Sequence, residues 1–172
     1  MSQRAEAEKT TIDIDRELME INYFAYVNLT KAVLPYMKRQ KSGHVIVISS
    51  IAGKFGFYLR SGYSAAKHAL HGFFDSFRLE TEKDGIKTLI VCPGKIKTNI
   101  SLNAVTDKGA HGKMDPSHEN AMSAEECARI ILKGIQNNDE EILVGGKELL
   151  AVKIKRFFPK WFGRIIRKQS PF

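Results

Sequence analysis

The 172-residue sequence predicts an α/β domain built on a parallel sheet. Apolar residues recur at helical spacing in three long segments. Two β-branched runs, 44–50 and 88–93, are continuously apolar, which is typical of strands buried on both faces of a parallel sheet. A short third strand over 141–145 continues a regular alternation of helices and strands. These three observations together indicate the fold class.

The first predicted helix runs from about Asp13 to Lys41. Its apolar positions are Ile14, Leu18, Ile21, Ala25, Leu29 and Ala32. Thr10 followed three residues later by Asp13 predicts a capping box at its start. Basic residues just before Gly43 suit its C-terminal end.

The first strand is predicted over His44–Ser50, and a glycine-punctuated loop follows it. The second helix covers Tyr63–Lys83 and carries three phenylalanines on its apolar side. The second strand, Thr88–Pro93, ends at a Pro93-Gly94 turn. Residues 95–122 lack periodicity and are predicted to form a long connection, of the kind that is usually either functional or disordered.

A second capping box, Ser123 with Glu126, predicts a third helix that ends near Asn137. The third strand, Glu141–Gly145, follows it. The length predicts a single domain, and no apolar run approaches the length of a membrane span.

The net charge of +8 lies mostly in the tail. From Lys147 onward there are eight Lys or Arg and one acid, Glu148, so the body is nearly neutral and does not favour a nucleic-acid groove. Cys92 and Cys127 form no metal or disulfide pattern, and the N-terminus has no signal-peptide core. We therefore expect a cytoplasmic protein.

The candidate catalytic residues are Ser50, Tyr63 and Lys67. Tyr63 and Lys67 are four apart, so their side chains share one helix face. A nearby ammonium favours the phenolate, which predicts that Tyr63 serves as general acid or base and that Ser50 holds a substrate oxygen. A Tyr four before a Lys is also common on ordinary helices, so the context has to decide. Both strand ends and the Tyr63 helix meet at the edge where open α/β sheets bind ligands.

Five segments of this sequence resemble the short-chain dehydrogenase/reductase family. They are Glu20-Ile-Asn22, Leu34-Pro35, Val47-Ile48-Ser49-Ser50, Tyr63-Ser-Ala-Ala-Lys67 and Pro93-Gly94-Lys-Ile-Lys-Thr98. The likeness covers about residues 10–146, and the Ser-Ser-Ile-Ala-Gly context is similar to the hydroxysteroid-dehydrogenase-like branch. It implies a Rossmann-like doubly wound parallel sheet.

The resemblance implies a role for each matching residue. Tyr63 is the acid/base, Ser50 orients the carbonyl, and Lys67 lowers the pKa of Tyr63 and holds the nicotinamide ribose. Asn22 keeps a helix kinked around a water of the proton relay, although it also suits a solvated helix position. Other cofactor contacts implied by the resemblance are Pro93, Gly94, Ile96 and Thr98, the last of which could also be a helix cap.

The family's TGxxxGxG and Asn-Asn-Ala-Gly motifs do not occur in this sequence. The resemblance therefore implies a partial sheet, with the first strands and the glycine-rich turn absent. Residues 1–146 would be the C-terminal two-thirds of an N-terminally truncated domain, and 147–172 a basic amphipathic tail. We expect these 172 residues to turn over NAD(P)H very weakly or not at all, and NADP is slightly favoured over NAD.

The tail and two histidines carry further hypotheses. Over 153–168, basic residues lie on one helical side and apolar residues on the other, with Pro159 as a kink or a second helix start. This side either contacts a membrane peripherally or packs on the domain. His68 and His71 are three apart, but no third ligand is placed, so we expect no metal site.

The leading hypothesis is an NAD(P)(H)-dependent alcohol/carbonyl oxidoreductase acting on a small hydrophobic substrate. The alternatives are a non-catalytic remnant that acts through a partner, and a membrane-surface module built on the tail. The resemblance also implies a homo-oligomer formed through the two long helices.

Overall fold

The computed structural model describes residues 1–107 and 121–168, and the backbone of 109–110. The described strands are β1 (Ser2–Gln3), β2 (Gly43–Ile48), β3 (Ile86–Pro93), β4 (Ala104–Thr106), β5 (Gly109–Ala110) and β6 (Glu141–Val144). The described α-helices are α1 (Ile12–Met19), α2 (Ala25–Gln40), α3 (Ser61–Thr81), α4 (Ala124–Asn137), α5 (Leu150–Phe157) and α6 (Pro159–Ile166).

The main sheet has the order β2-β3-β6, and both of its strand pairs are parallel. Ile48 aligns with Val91, and Pro93 aligns with Val144. The carboxyl ends of the three strands therefore lie along one edge. The predicted parallel α/β architecture is confirmed, and the sheet is partial.

Helices cover the two faces of this sheet unequally. On one face, α3 packs Leu70, Phe74 and Phe77 against β2 and β3. On the other, α4 packs against β3 and β6 through a cluster that includes Cys127, Leu89, Val91 and Val144. The α4 face of β2 is left more open, since Ile46 is half-buried and Ile48 is 37% exposed.

The first long helix is interrupted by a π-helical turn over Glu20–Phe24, between α1 and α2. Its N-cap is Thr11, whose hydroxyl accepts a hydrogen bond from the Ile14 amide. The predicted capping box at Thr10 was wrong, because the Thr10 hydroxyl instead donates to the Glu6 carbonyl. The predicted cap at Ser123 is confirmed, with a 3.1 Å bond from the Glu126 amide.

The 95–122 segment is not wholly irregular, which corrects the sequence prediction. Its strands β4 and β5 form a small second sheet with β1, in which β1 and β4 are parallel. Residue 108 and residues 111–120 of the predicted loop lie outside the described residues, as does the end of the tail after 168. In the tail, Pro159 begins a second helix. No described helix is long and apolar enough to cross a bilayer.

Candidate active site

Three structural elements bring the predicted catalytic residues together. Ser50 follows β2, Tyr63 lies in the first turn of α3, and Pro93 ends β3. The start of α3 is held by Gln3, a fully buried residue of β1, whose side-chain oxygen accepts hydrogen bonds from the Gly62 and Tyr63 amides at 2.9 and 3.3 Å. Gln3 therefore fixes where Tyr63 enters the site.

Ser50 joins the end of β2 to the end of β3. Its hydroxyl donates to the Pro93 carbonyl at 3.4 Å and accepts from the Ala52 amide at 3.1 Å. It also lies close enough to the Tyr63 phenol to favour the ionised form of that phenol. The structure thus places the Ser50 hydroxyl beside the Tyr63 phenol, as the sequence predicts.

The environment of Tyr63 is more apolar than the sequence indicates. The residue is 5% exposed and packs with Leu18 and Ala52. Burial raises the pKa of Tyr63 to about 12, and the neighbouring Ser50 hydroxyl only partly opposes this. The expected lowering of this pKa by Lys67 is not found, so the phenol is protonated at neutral pH in this arrangement.

The Lys67 ammonium points to the backbone rather than to the phenol oxygen. It donates to the Ile48 carbonyl at 2.9 Å and lies 5.8 Å from the centre of the Tyr63 ring. Burial lowers the pKa of Lys67 to about 8. Both members of the Tyr63–Lys67 pair are therefore shifted toward their neutral forms.

Asn22 and Tyr26 form a second i, i+4 pair that faces the site. Asn22 is 4% exposed inside the π turn, and its side-chain amide donates to the Leu18 carbonyl at 3.1 Å. It is thus a buried residue at a helix distortion, not a solvated one. Tyr26 donates to the Ile48 carbonyl at 3.2 Å, and its ring lies 5.2 Å from the Lys67 ammonium.

The Pro93-Gly94 turn is held by Glu148 from the start of the tail. One carboxylate oxygen of Glu148 accepts hydrogen bonds from the Lys95 and Gly146 amides at 2.9 and 3.0 Å. The same oxygen occupies the space that a Cβ atom on Gly94 would need, so a larger residue there would have to displace the Glu148 side chain. Glu148 therefore ties the ends of β3 and β6 together.

The two remaining predicted cofactor contacts differ in exposure. Ile96 is buried and forms an isolated parallel bridge with Met122. Thr98 is exposed and is followed by turns rather than by a helix, so the alternative of a helix cap does not hold.

A buried polar cluster lies one helical turn beyond Lys67. His71 faces Ser49 at 3.1 Å and Cys92 at 3.6 Å through one ring nitrogen, and Lys54 at 3.3 Å through the other. The Lys54 ammonium also pairs with the Glu141 carboxylate. His71, Cys92 and Glu141 could group around a metal ion, but the ammonium already stands between His71 and Glu141. His68 turns away to the Ser64 carbonyl at 2.8 Å.

The sequence analysis did not identify several of these contributors as site residues: Gln3, Tyr26, Ser49, Lys54 and Glu148. Each acts through a contact with a residue far away in sequence, such as the 59 positions between Gln3 and Gly62. The Asn22–Tyr26 spacing is the one signal that was present in the sequence.

The donor set fits the nicotinamide end of a dinucleotide. The buried Lys67 ammonium has three N–H groups, and the described residues offer it one hydrogen bond, to the Ile48 carbonyl. It is therefore able to bind a ribose hydroxyl. No described loop forms the glycine-rich turn into a helix N-terminus that a pyrophosphate needs.

A short chain dehydrogenase family model matches residues 1–109 of this chain. Mouse "Dehydrogenase/reductase SDR family member 7B" is 41% identical over 99% of this chain and 53% of its own length. "Dehydrogenase/reductase SDR family protein 7-like" of Anopheles gambiae is 45% identical over 84% of this chain and 46% of its own. The chain spans about half the length of these curated relatives.

Solved structures show the same fold. A short-chain dehydrogenase from Streptomyces avermitilis is 25% identical with a TM-score of 0.71, covering 98% of this chain and 68% of that one. A short chain dehydrogenase from Burkholderia cenocepacia, solved in complex with NADP, has a TM-score of 0.81 at 19% identity, covering 98% of this chain and 66% of that one.

Proposed function

Because the chain belongs to the short-chain dehydrogenase/reductase family, we propose that its Ser50–Tyr63–Lys67 site performs the proton transfer of an NAD(P)(H)-dependent alcohol/carbonyl oxidoreductase. One observation carries the proposal. The Ser50 hydroxyl lies beside the Tyr63 phenol, and α3 brings the Lys67 ammonium to the same strand ends.

The reaction that these side chains suit is carbonyl reduction. A dinucleotide held by the Lys67 ammonium would supply the hydride for the carbonyl carbon. Ser50 donates a hydrogen bond to the carbonyl oxygen, and the Tyr63 O–H bond breaks to give that oxygen its proton. A Tyr63 pKa near 12 keeps the proton on the phenol at neutral pH, so Tyr63 carries the proton that the reduction consumes.

The surroundings of Ser50 favour an apolar carbonyl substrate. The residues just after it include Ile51 and Phe55, which pack with Phe57 and Phe162 in one cluster. The rings of Phe55 and Phe162 lie 4.8 Å apart in an edge-on contact. An apolar substrate would extend the burial of this cluster. For the cofactor, NADP remains slightly favoured by family resemblance.

The test is a rate measurement at high protein concentration, with NADPH or NADH and a panel of apolar aldehydes and ketones. We expect a low rate that falls by about 10²–10⁴ in Tyr63→Phe, because the proton donor is lost. Tyr58→Phe is the matched control, since Tyr58 is 58% exposed and bonds only to Glu6 among the described residues. Equal residual rates in wild type and Tyr63→Phe would contradict the proposal.

A non-catalytic role is a second candidate, favoured by the open side of β2. Among the described residues β2 pairs only with β3, and Ile48 is partly exposed on its face. An unpaired strand edge is a surface on which another strand can add. Thermal stabilisation by NADPH that is lost in Lys67→Met would support the enzyme. No stabilisation at millimolar NADPH or NADH, together with no turnover, would favour the partner-binding alternative.

A further inference from the structure

The corner between α5 and α6 is fixed to the domain on its inner side. Phe162 is 6% exposed and packs against Ile51 and Phe55. Ile154 and Ile166 join the same cluster. These apolar side chains of the tail pack on the domain, as one of the two predictions for the tail states.

The outer side of the same corner presents large apolar side chains to solvent. Phe157, Phe158 and Trp161 are 68%, 62% and 56% exposed, and Leu150 at the start of α5 is 58% exposed. These three aromatic residues are close in sequence and straddle the start of α6. Their exposure is not a by-product of a loose tail, because Phe162 anchors the helix that carries Trp161. We call Phe157, Phe158 and Trp161 the aromatic corner.

The charge around the aromatic corner is entirely positive in the sequence. No Asp or Glu occurs after Glu148. The exposed cations of α5, α6 and the residues just after them are Lys153, Lys155, Arg156, Lys160, Arg164, Arg167 and Lys168. Exposed aromatic rings with Lys and Arg nearby in the sequence suit a lipid surface, which is apolar in its interior and can be negatively charged at its headgroups.

We propose that the aromatic corner docks on an anionic lipid surface, with the neighbouring cations on the headgroups. The rings enter the boundary between headgroups and acyl chains, where amphipathic aromatic side chains are favoured. A second copy of this chain is a poorer occupant, because it would bring an equal set of cations to the same interface. The proposal does not depend on the oxidoreductase activity.

The experiment uses Trp161 as its own reporter, because it is the only tryptophan in the sequence. The probe is vesicles of mixed phosphatidylcholine and phosphatidylserine at low salt. We expect co-sedimentation, a blue shift of Trp161 emission and quenching by brominated acyl chains. Vesicles of phosphatidylcholine alone should bind weakly, and added salt should release the protein from the anionic vesicles.

Two double variants separate the charge from the rings. Lys160→Gln with Arg164→Gln should weaken binding roughly 30-fold, because two cations that attract the anionic headgroups are lost. Phe157→Ser with Phe158→Ser should weaken it at least about tenfold while Trp161 still reports. The matched controls, Lys31→Gln with Lys83→Gln and the single Leu79→Ser, remove exposed cations and an exposed leucine elsewhere and should bind as wild type.

The proposal is overturned if the protein stays in the supernatant with anionic vesicles at low salt and Trp161 emission does not shift. It is also overturned if the control variants lose binding as much as the corner variants. Self-association without vesicles that Phe157→Ser with Phe158→Ser abolishes would identify the corner as an interface between copies instead.

Discussion

The two sides of β2 differ in how completely this chain builds them. On the α3 side, Val45 and Val47 lie under Leu70 and Phe74, which are fully buried. On the opposite side, Ile46 is half-buried and Ile48 is partly exposed, and the outer edge of β2 has no strand beside it among the described residues. The α3 side holds the proton-transfer residues, whereas the opposite face and the outer edge of β2 are the less covered part of the described sheet.

The contrast explains why the site is assembled while its pKa values point the other way. Lys67 and Tyr63 are positioned by α3 and packed in a nearly dry environment, so both are shifted toward neutral forms. The Lys67 ammonium bonds to the backbone carbonyl of Ile48, the last residue of β2. The proton-transfer side chains are therefore in place, while the pKa values do not give the lowered Tyr63 pKa that the sequence predicts.

The largest expected effect tests the covered side directly. Phe74→Ala should lower the free energy of unfolding by about 3–5 kcal/mol, because it leaves a cavity in a fully buried position. Leu79→Ala on the same helix is the control, since Leu79 is 77% exposed, and should change stability by about 0.5 kcal/mol or less. Urea unfolding measures the stability of both variants. A similar loss of stability in Phe74→Ala and Leu79→Ala would show that Phe74 does not anchor α3 in the core.

A second prediction uses the buried cluster beneath Lys67. Burial, aided by the Lys54 ammonium, lowers the pKa of His71 from 6.5 to about 4, while the Glu141 carboxylate opposes the shift. Between these values the unfolded chain binds a proton that the folded chain excludes, so stability rises with pH over this window. The contribution is complete above pH 6.5 and is lost as pH falls toward 4, on the order of 3 kcal/mol.

The measurement is urea unfolding at several pH values between 4 and 7. His71→Gln should reduce the slope of unfolding free energy against pH by an amount that corresponds to the uptake of up to one proton. His68→Gln is the control, because it removes another imidazole from the same helix. An unchanged slope in His71→Gln would mean that His71 is protonated in the folded state and pairs with Glu141 instead.

Much of the covered side was predictable from the sequence, because the spacing of apolar residues and the capping residues determine helices and strands through near neighbours in the chain. The three strands of the main sheet and the helices before, between and after them follow from those patterns, to within a few residues at each end. The spacing of Ser50, Tyr63 and Lys67 together with the strand ends located the candidate site. Thr11 replaced Thr10 as the cap because two adjacent threonines offer the same chemistry one residue apart.

The unpredicted features depend on contacts between distant segments. Strands of two residues, such as β1 and β5, are too short to show a period. The pKa of Tyr63 depends on the depth of its burial, which the i, i+4 spacing does not report. In the tail, the helical pattern cannot say that Phe162 packs on the domain while Trp161 faces solvent.

A third prediction concerns Glu148, which links the covered β3 to β6. Burial disfavours its ionised form, but hydrogen bonds from the Lys95 and Gly146 amides outweigh this and lower its pKa from 4.5. Glu148→Ala should therefore cost about 1–3 kcal/mol at pH 7, and Glu148→Gln less, because an amide oxygen can still accept. The contribution is present above pH 4.5 and is lost as pH falls through the lowered pKa.

Urea unfolding at pH 7 and at pH 3 would test this, with exposed Glu80→Ala as the control. If Glu148→Ala and Glu80→Ala lose the same stability, the carboxylate does not hold the Pro93-Gly94 turn.

The smallest expected effect on stability comes from the open side. Ile48→Lys should change the free energy of unfolding by about 1 kcal/mol or less, because the side chain is partly exposed and has little apolar contact to lose. It should nevertheless slow concentration-dependent aggregation, since a charge beside an unpaired strand edge opposes the addition of another strand. Leu79→Lys adds the same charge at an exposed position of α3, away from the edge of β2. It therefore controls for the change in net charge. If both variants slow aggregation equally, repulsion between whole molecules explains the effect. A larger slowing by Ile48→Lys would mean that association proceeds through the side of β2 that the chain leaves open.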